Sequence, residues 1–233
     1  MIAAALLALA VSASGALDAE RSFARMAQTE GQWASFRAFA APEAIMFAPG
    51  VVNAQQWLKD RAEPRQPVMW WPGRSWRSCD GTLAVNTGPW LREGGTSTGT
   101  FTTVWRRQED GSWKWLLDHG RTTPSAVAAG DDPREDLPVC RNLPRQEADV
   151  PEGVPAPGLL VQLDDRMPGD RLPAAAIAGG APVAAGMSDD GSLRWRVRTI
   201  DGAPEGAHVL EVLSWDGARL RLVLLEITGV PGL

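Results

Sequence analysis

"FTTVWRRQEDGSWKWLLDHG", residues 101–120, is the stretch on which the fold turns. Trp105, Trp113 and Trp115 crowd around one Asp-Gly, and both arms alternate as strands do. A two-residue loop at Asp110-Gly111 would set Trp115 opposite Arg106 and mix the faces. A three-residue loop, Glu109-Asp110-Gly111, sets Trp105 against Trp115, Arg107 against Trp113 and Thr103 against Leu117. The other face then carries Arg106 with Lys114 and Val104 with Leu116. A slip of one residue turns every side chain over, so the apolar face selects the second register, with glycine in the left-handed position. The expectation is one apolar wall of Phe101, Trp105, Trp115 and Leu117. His119 lies on that wall and Asp118 points away, because neighbouring strand residues face opposite ways.

Upstream, "LDAERSFARMAQTEGQWASFRAFA" (residues 17–40) reads as two helices. Asp18 caps the first, Phe23, Met26 and Ala27 recur at helical spacing, and Gly31 breaks the run before Trp33, Phe36 and Phe39 resume it. "EAIMFAPG" reads as a short strand, and "NAQQWLKD" as a short helix capped by Asn53. "PVMWWPG", "SWRSCDG" and "TLAVNTGPWLRE" read as strands. "REGGTSTGT" (residues 92–100) joins two strands, so it is a hairpin loop and not a phosphate cradle.

Downstream, residues 124–157 are rich in Pro, Asp and Glu without periodicity, as a linker or a strap would be. "GLLVQLDD" is apolar and of open type, and "AAAIAGGAPVAAGM" is read as a strand plus turn. "SLRWRVRTID", "AHVLEVLSWDG" and "ARLRLVLLEITG" read as three strands. In the first, Arg194, Arg196 and Arg198 alternate with Leu193, Trp195 and Val197, as on a strand with one wet face. For the terminal hairpin a two-residue Asp216-Gly217 turn pairs Trp215 with Ala218, Leu213 with Leu220, Glu211 with Leu222 and Val209 with Leu224. This half has too little chain to bury both sides of its sheet, so it should pack on the first half or on a partner.

The chain has 233 residues, a formal net charge of -5, 11 Trp, 2 His and no Tyr. That charge gives no electrostatic reason to bind nucleic acid or an anionic membrane. No glycine-rich phosphate loop, G-x-S-x-G elbow or H-E-x-x-H motif occurs, and no cofactor is expected. "DDPRED" (residues 131–136) lacks the calcium-loop pattern. Residues 2–11 are apolar and small residues follow, as in a secretory signal peptide too short to span a bilayer. Cleavage would fall near Ser14-Gly15-Ala16 or Val11-Ser12-Ala13 and deliver the protein to the periplasm; the alternative is an apolar helix start packed on the domain. Export invites a disulfide between Cys79 and Cys140, against the alternative of two unpaired thiols. With no histidine near either, zinc is not expected.

The order helix, helix, strand, short helix and long antiparallel strands, carried by "ERSFARMAQTEGQWASFRAFAAPEAIMFAPG" (residues 20–50) and "GTFTTVWRRQEDGSWKWLLDHG" (residues 99–120), resembles the nuclear transport factor 2-like superfamily, which includes SnoaL-like cyclases and ketosteroid isomerase. The resemblance covers residues 17–122. It implies an α+β fold in which a curved antiparallel sheet wraps the N-terminal helices into a cone whose mouth takes a small apolar ligand. The division is then a signal peptide (1–16), the cone (17–122), a linker or strap (123–157) and a β-rich C-terminal part (158–233). Trp33, Trp57, Trp70 and Trp90 fall near the mouth, Trp105 and Trp115 deeper, where packing competes with ligand contact. Arg77 and Asn86 are the polar ligand contacts expected, against solvent-facing strand positions.

Such a fold hosts enzymes, binders and scaffolds alike. The first expectation is an exported binding or interaction protein with a tryptophan-lined pocket. The alternative is an isomerase, cyclase or dehydratase using His119 as acid or base, against a strand-end histidine bonded to backbone. A third is a filled cone serving as a dimerising scaffold.

Overall fold

A computed structural model describes residues 15–126, 132–144, 153–163, 180–203 and 205–229. The signal peptide expected at residues 1–16 lies outside them except for Gly15 and Ala16, where α1 begins. The elements are α1 (Ala16–Thr29), α2 (Gln32–Phe39), β1 (Ala40–Phe47), β2 (Val51–Asn53), α3 (Ala54–Leu58), β3 (Met69–Trp70), β4 (Arg74–Arg77), β5 (Leu83–Arg92), a 3₁₀ turn (Glu93–Gly95), β6 (Ser97–Arg107) and β7 (Trp113–Thr122). After these come β8 (Arg134–Asp136), β9 (Val154–Leu163), β10 (Pro182–Met187), β11 (Leu193–Thr199), β12 (His208–Trp215) and β13 (Leu220–Thr228). The architecture is α+β with two sheets: β2-β1-β7-β6-β5-β4-β8, with β3 also on β5, and β10-β11-β12-β13-β9. No helix among the described residues is long and apolar enough to cross a membrane.

The helices cover one face of the first sheet. α1 buries Ala16, Ala19, Phe23 and Ala27 on one stripe, with Glu20 among them. Phe23 is the hub: Phe36, Phe39, Trp70 and Trp105 surround it at centroid distances of 4.7 to 5.9 Å. Edge-on and tilted ring pairs of this kind add about 0.5–1.5 kcal/mol each beyond the area they bury. Asp18 does not cap α1. Gly15 holds the cap position, and Asp18 reaches Arg21 instead at 3.5 Å. Gly31, at φ +115°, turns the chain into α2, where the Glu63 carboxylate accepts from the free N–H groups of Trp33 (2.7 Å) and Ala34 (2.8 Å). An acid suits the positive end of a helix. Asn53 caps α3, accepting from Gln56 N at 3.0 Å.

Near its turn the 101–120 hairpin follows the expected register. Trp105 pairs with Trp115, Arg106 with Lys114 and Arg107 with Trp113, around a three-residue loop with Gly111 at φ +81°. Two residues further on the expectation fails. The register shifts between Val104 and Trp105, so that Val104 meets Leu117, Thr103 meets Asp118 and Thr102 meets His119. Leu116 is the extra residue of a β-bulge, which inverts every position beyond it. Leu117 and His119 therefore leave the tryptophan face, and Asp118 turns onto it.

The other face of the first sheet is buried as well. Val85, Val104 and Leu117 pack against Trp195, Leu210, Val212 and Leu224 of the second sheet. Two matching turns pin the sheets together, Ser78–Leu83 ("SCDGTL") and Ser188–Leu193 ("SDDGSL"). Asp80 N donates to Asp190 Oδ2 (2.9 Å) and Asp190 N to Asp80 Oδ2 (2.7 Å). Cys79 and Cys140 form a disulfide with Cα atoms 5.5 Å apart. The segment between the two halves is itself held at two places, β8 on β4 and Val139 N on Trp215 O at 3.0 Å.

The terminal hairpin also corrects its expectation. Its two-residue loop is Gly217-Ala218, with Asp216 N donating to Arg219 O at 3.1 Å. Trp215 therefore pairs with Leu220 and Leu213 with Leu222, and after a further shift Val212 pairs with Leu224 and Leu210 with Glu226. The cause is Asp216, whose carboxylate accepts from Ala218 N and Arg219 N at 2.9 Å each. Asp216 opens the turn rather than occupying its corner. The arginine stripe is not a wet face either: Arg194 and Arg198 are buried, and Glu211 takes Arg196 at 2.6 Å and Arg198 at 3.2 Å.

Candidate functional site

A cavity of about 580 Å³ opens on the helix-covered face. Phe23, Phe36 and Trp70 line its inner end, and Trp33, Trp90 and Phe101 its sides. The Trp90 indole lies where a side chain on Gly99 would be, since a Cβ there would come within 2.5 Å of the ring. Asp118, Phe47, His119 and, from the end of the second sheet, His208 and Thr228 line the cavity as well. One space thus joins an apolar chamber to a polar seam between the sheets.

Asp118 and Glu205 are the carboxylates in the cavity lining, and Glu20 lies behind it. Asp118 opens into the cavity and accepts from Thr103 Oγ1 at 2.8 Å. Burial pushes it up to about 6, against the pull of Thr103 and His119. Glu20 is fully buried. Trp105 Nε1 (2.6 Å) and Asn86 Nδ2 (3.2 Å) donate to one of its oxygens, and Trp70 Nε1 (2.9 Å) to the other. Burial still dominates those three bonds and pushes Glu20 up to about 8.

The seam holds both histidines of the chain. His119 Nε2 stands 3.1 Å from Glu226 Oε2, and Arg121 Nε stands 3.5 Å from Glu226 Oε1. Burial alone would raise Glu226, but His119 and Arg121 outweigh it and hold the carboxyl below its usual range. His208 stacks on Phe47 with centroids 3.7 Å apart and meets the His119 ring at 4.9 Å. Burial depresses His208 to about 3, and the nearby His119 adds to that. It is therefore neutral at physiological pH.

Of the residues expected to touch a ligand, Trp33, Trp70, Trp90 and His119 line the cavity. Trp105 and Trp115 do not: they are fully buried core. Trp57 packs edge-on against Trp33 at 5.6 Å under the Arg61 guanidinium, away from the cavity. Asn86 is buried on Glu20 and on Ala16 O rather than facing a ligand or solvent, and Arg77 is exposed at the far end of β4. His119 faces Glu226 rather than the tryptophans, because of the bulge at Leu116. Asp118, Glu20, His208 and Glu226 were not singled out from the sequence. The bulge hid the first, Glu20 depends on how α1 packs on the first sheet, and His208 and Glu226 depend on how the sheets meet.

No protein-family model and no curated protein matches the chain. Solved nuclear transport factor 2-like proteins resemble part of it. An NTF-2 like protein of unknown function from Shewanella oneidensis is 16% identical over 44% of this chain and 96% of its own, with a TM-score of 0.36. An NTF2-like protein from Cytophaga hutchinsonii is 14% identical over 48% and 94%, with a TM-score of 0.36. A Mycobacterium tuberculosis protein in complex with estradiol-17beta-hemisuccinate is 14% identical over 45% and 91%, with a TM-score of 0.34. Each likeness spans half of this chain or less.

Proposed function

We propose that this protein binds a small, largely apolar molecule in the cavity on the helix side of the first sheet, with Asp118 as the polar group that meets it. The observation behind this is a space of about 580 Å³ walled largely by aromatic rings, onto which Asp118, its carboxyl pushed up to about 6 by burial, opens beside Arg92, Arg121 and Glu205. Ligand sites are typically of this size and composition, mostly apolar with a few placed polar groups. A thermal-shift screen of small apolar molecules tests it. A ligand should raise Tm in proportion to the logarithm of its concentration above Kd, and the shift should shrink in Asp118→Asn. No concentration-dependent shift across a chemically broad set would sink the proposal.

A second reading is favoured by Asp118 specifically. A carboxyl pushed up to about 6 inside an apolar chamber is poised for proton transfer near neutral pH, so an isomerase- or dehydratase-like activity would use Asp118 rather than His119. Deuterium exchange into a bound carbon acid, lost in Asp118→Asn, separates a catalyst from a binder.

Export is part of the same reading. The apolar stretch before Ser14 suits a signal peptide, and a disulfide between Cys79 and Cys140 suits an oxidising compartment. The periplasm is the compartment proposed.

A further inference from the structure

We propose that the second sheet supplies the hydrogen-bonding end of the ligand site through His208 and Thr228, and that the ligand therefore carries a neutral donor, a hydroxyl or an amide N–H, on its apolar body. This deepens the binding reading above and rests on it.

His208 and Thr228 are cross-strand partners at the ends of β12 and β13, and both line the cavity. His208 Nδ1 lies 2.7 Å from Gly206 O. A carbonyl oxygen only accepts, so Nδ1 carries the proton and the neutral ring presents Nε2 as a bare lone pair. That Nε2 is buried without a hydrogen-bond partner, and so is Thr228 Oγ1. Buried polar atoms are nearly always bonded, and the unsatisfied His208 acceptor, beside a Thr228 hydroxyl that can accept or donate, marks where a donor belongs. The geometry is fixed in advance: Phe47 stacks on His208 and the His119 edge abuts it. Burial holds His208 far below its usual titration range, so the lone pair persists at every physiological pH. A cationic imidazole would favour an anionic ligand, whereas this one favours a neutral donor.

The test compares 1-naphthol with 1-methylnaphthalene, similar in shape but differing in the donor. Dose-dependent thermal shifts should give 1-naphthol a Kd at least about tenfold lower, the scale of one well-made hydrogen bond. That ratio should fall to about one in His208→Phe, shrink in Thr228→Val, persist in Asp118→Asn and return in part in His208→Gln, whose amide oxygen accepts. Thr228→Val preserves shape and keeps the test decisive if His208→Phe does not fold. Equal binding of the two probes by the wild-type protein overturns this inference and leaves the binding reading standing. So does a ratio unchanged in both His208→Phe and Thr228→Val. Binding of neither probe overturns both.

Discussion

His119 and Glu226 meet across the gap between the two sheets, Nε2 to Oε2 at 3.1 Å, with 2% and 0% of their side chains exposed. One comes from β7 of the first sheet and the other from β13 of the second. With Arg121 at 3.5 Å they form a buried charged group shared by both halves. Glu226→Ala leaves the Arg121 guanidinium there without its carboxylate. Removing one partner of a buried pair costs about 3–5 kcal/mol, and urea unfolding should report a loss of that order as a lower midpoint.

The pH dependence of stability should show two opposed effects. Glu20 rises from 4.5 unfolded to about 8 folded, so the folded state holds the proton more tightly and stability falls as pH rises through that window. His208 falls from 6.5 to about 3, so its neutral burial favours folding above pH 6.5, and that contribution is lost as pH drops towards 3. Between pH 6.5 and 8 the Glu20 effect stands without the His208 one. Stability measured there should decline with pH in the wild type and flatten in Glu20→Gln, and an identical slope in the two would refute the assignment.

Trp105 and Trp57 should separate core from periphery. Trp105 is fully buried and donates to Glu20, so Trp105→Ala should cost about 3–5 kcal/mol. Trp57 is half-buried beneath Arg61, and Trp57→Ala should cost distinctly less. Chemical denaturation of the two variants side by side checks the order.

Reducing the Cys79–Cys140 bridge opens a loop of 61 residues, and the chain-entropy account puts the loss at roughly 4 kcal/mol. A denaturant midpoint unaffected by reductant would mean that the bridge is absent or that local contacts already fix that segment. Mass spectrometry of protein from its native host should find the N-terminus near residue 17, and an intact Met1 would contradict export.

Much of the first half was legible in the sequence because local rules decide it. The helices follow from the spacing of Phe23, Phe36 and Phe39, and the turn register from Glu109-Asp110-Gly111. The bulge at Leu116 was not legible. A bulge adds a residue without a propensity signal of its own, yet this one exchanged the faces of Asp118 and His119 and so moved the candidate acid from one to the other. The seam was hidden for a different reason: Glu226 and His208 look like ordinary strand residues until the second sheet is docked. One signal was present and unread. "SCDGTL" and "SDDGSL" repeat a single turn, and two such turns can satisfy each other's backbone N–H groups.

The most direct measurement is a crystal structure of the protein grown with 1-naphthol. The account predicts the ring between Trp33, Trp70 and Trp90, in the chamber onto which Asp118 opens. The probe bound elsewhere, with the chamber filled by its own side chains, would contradict it.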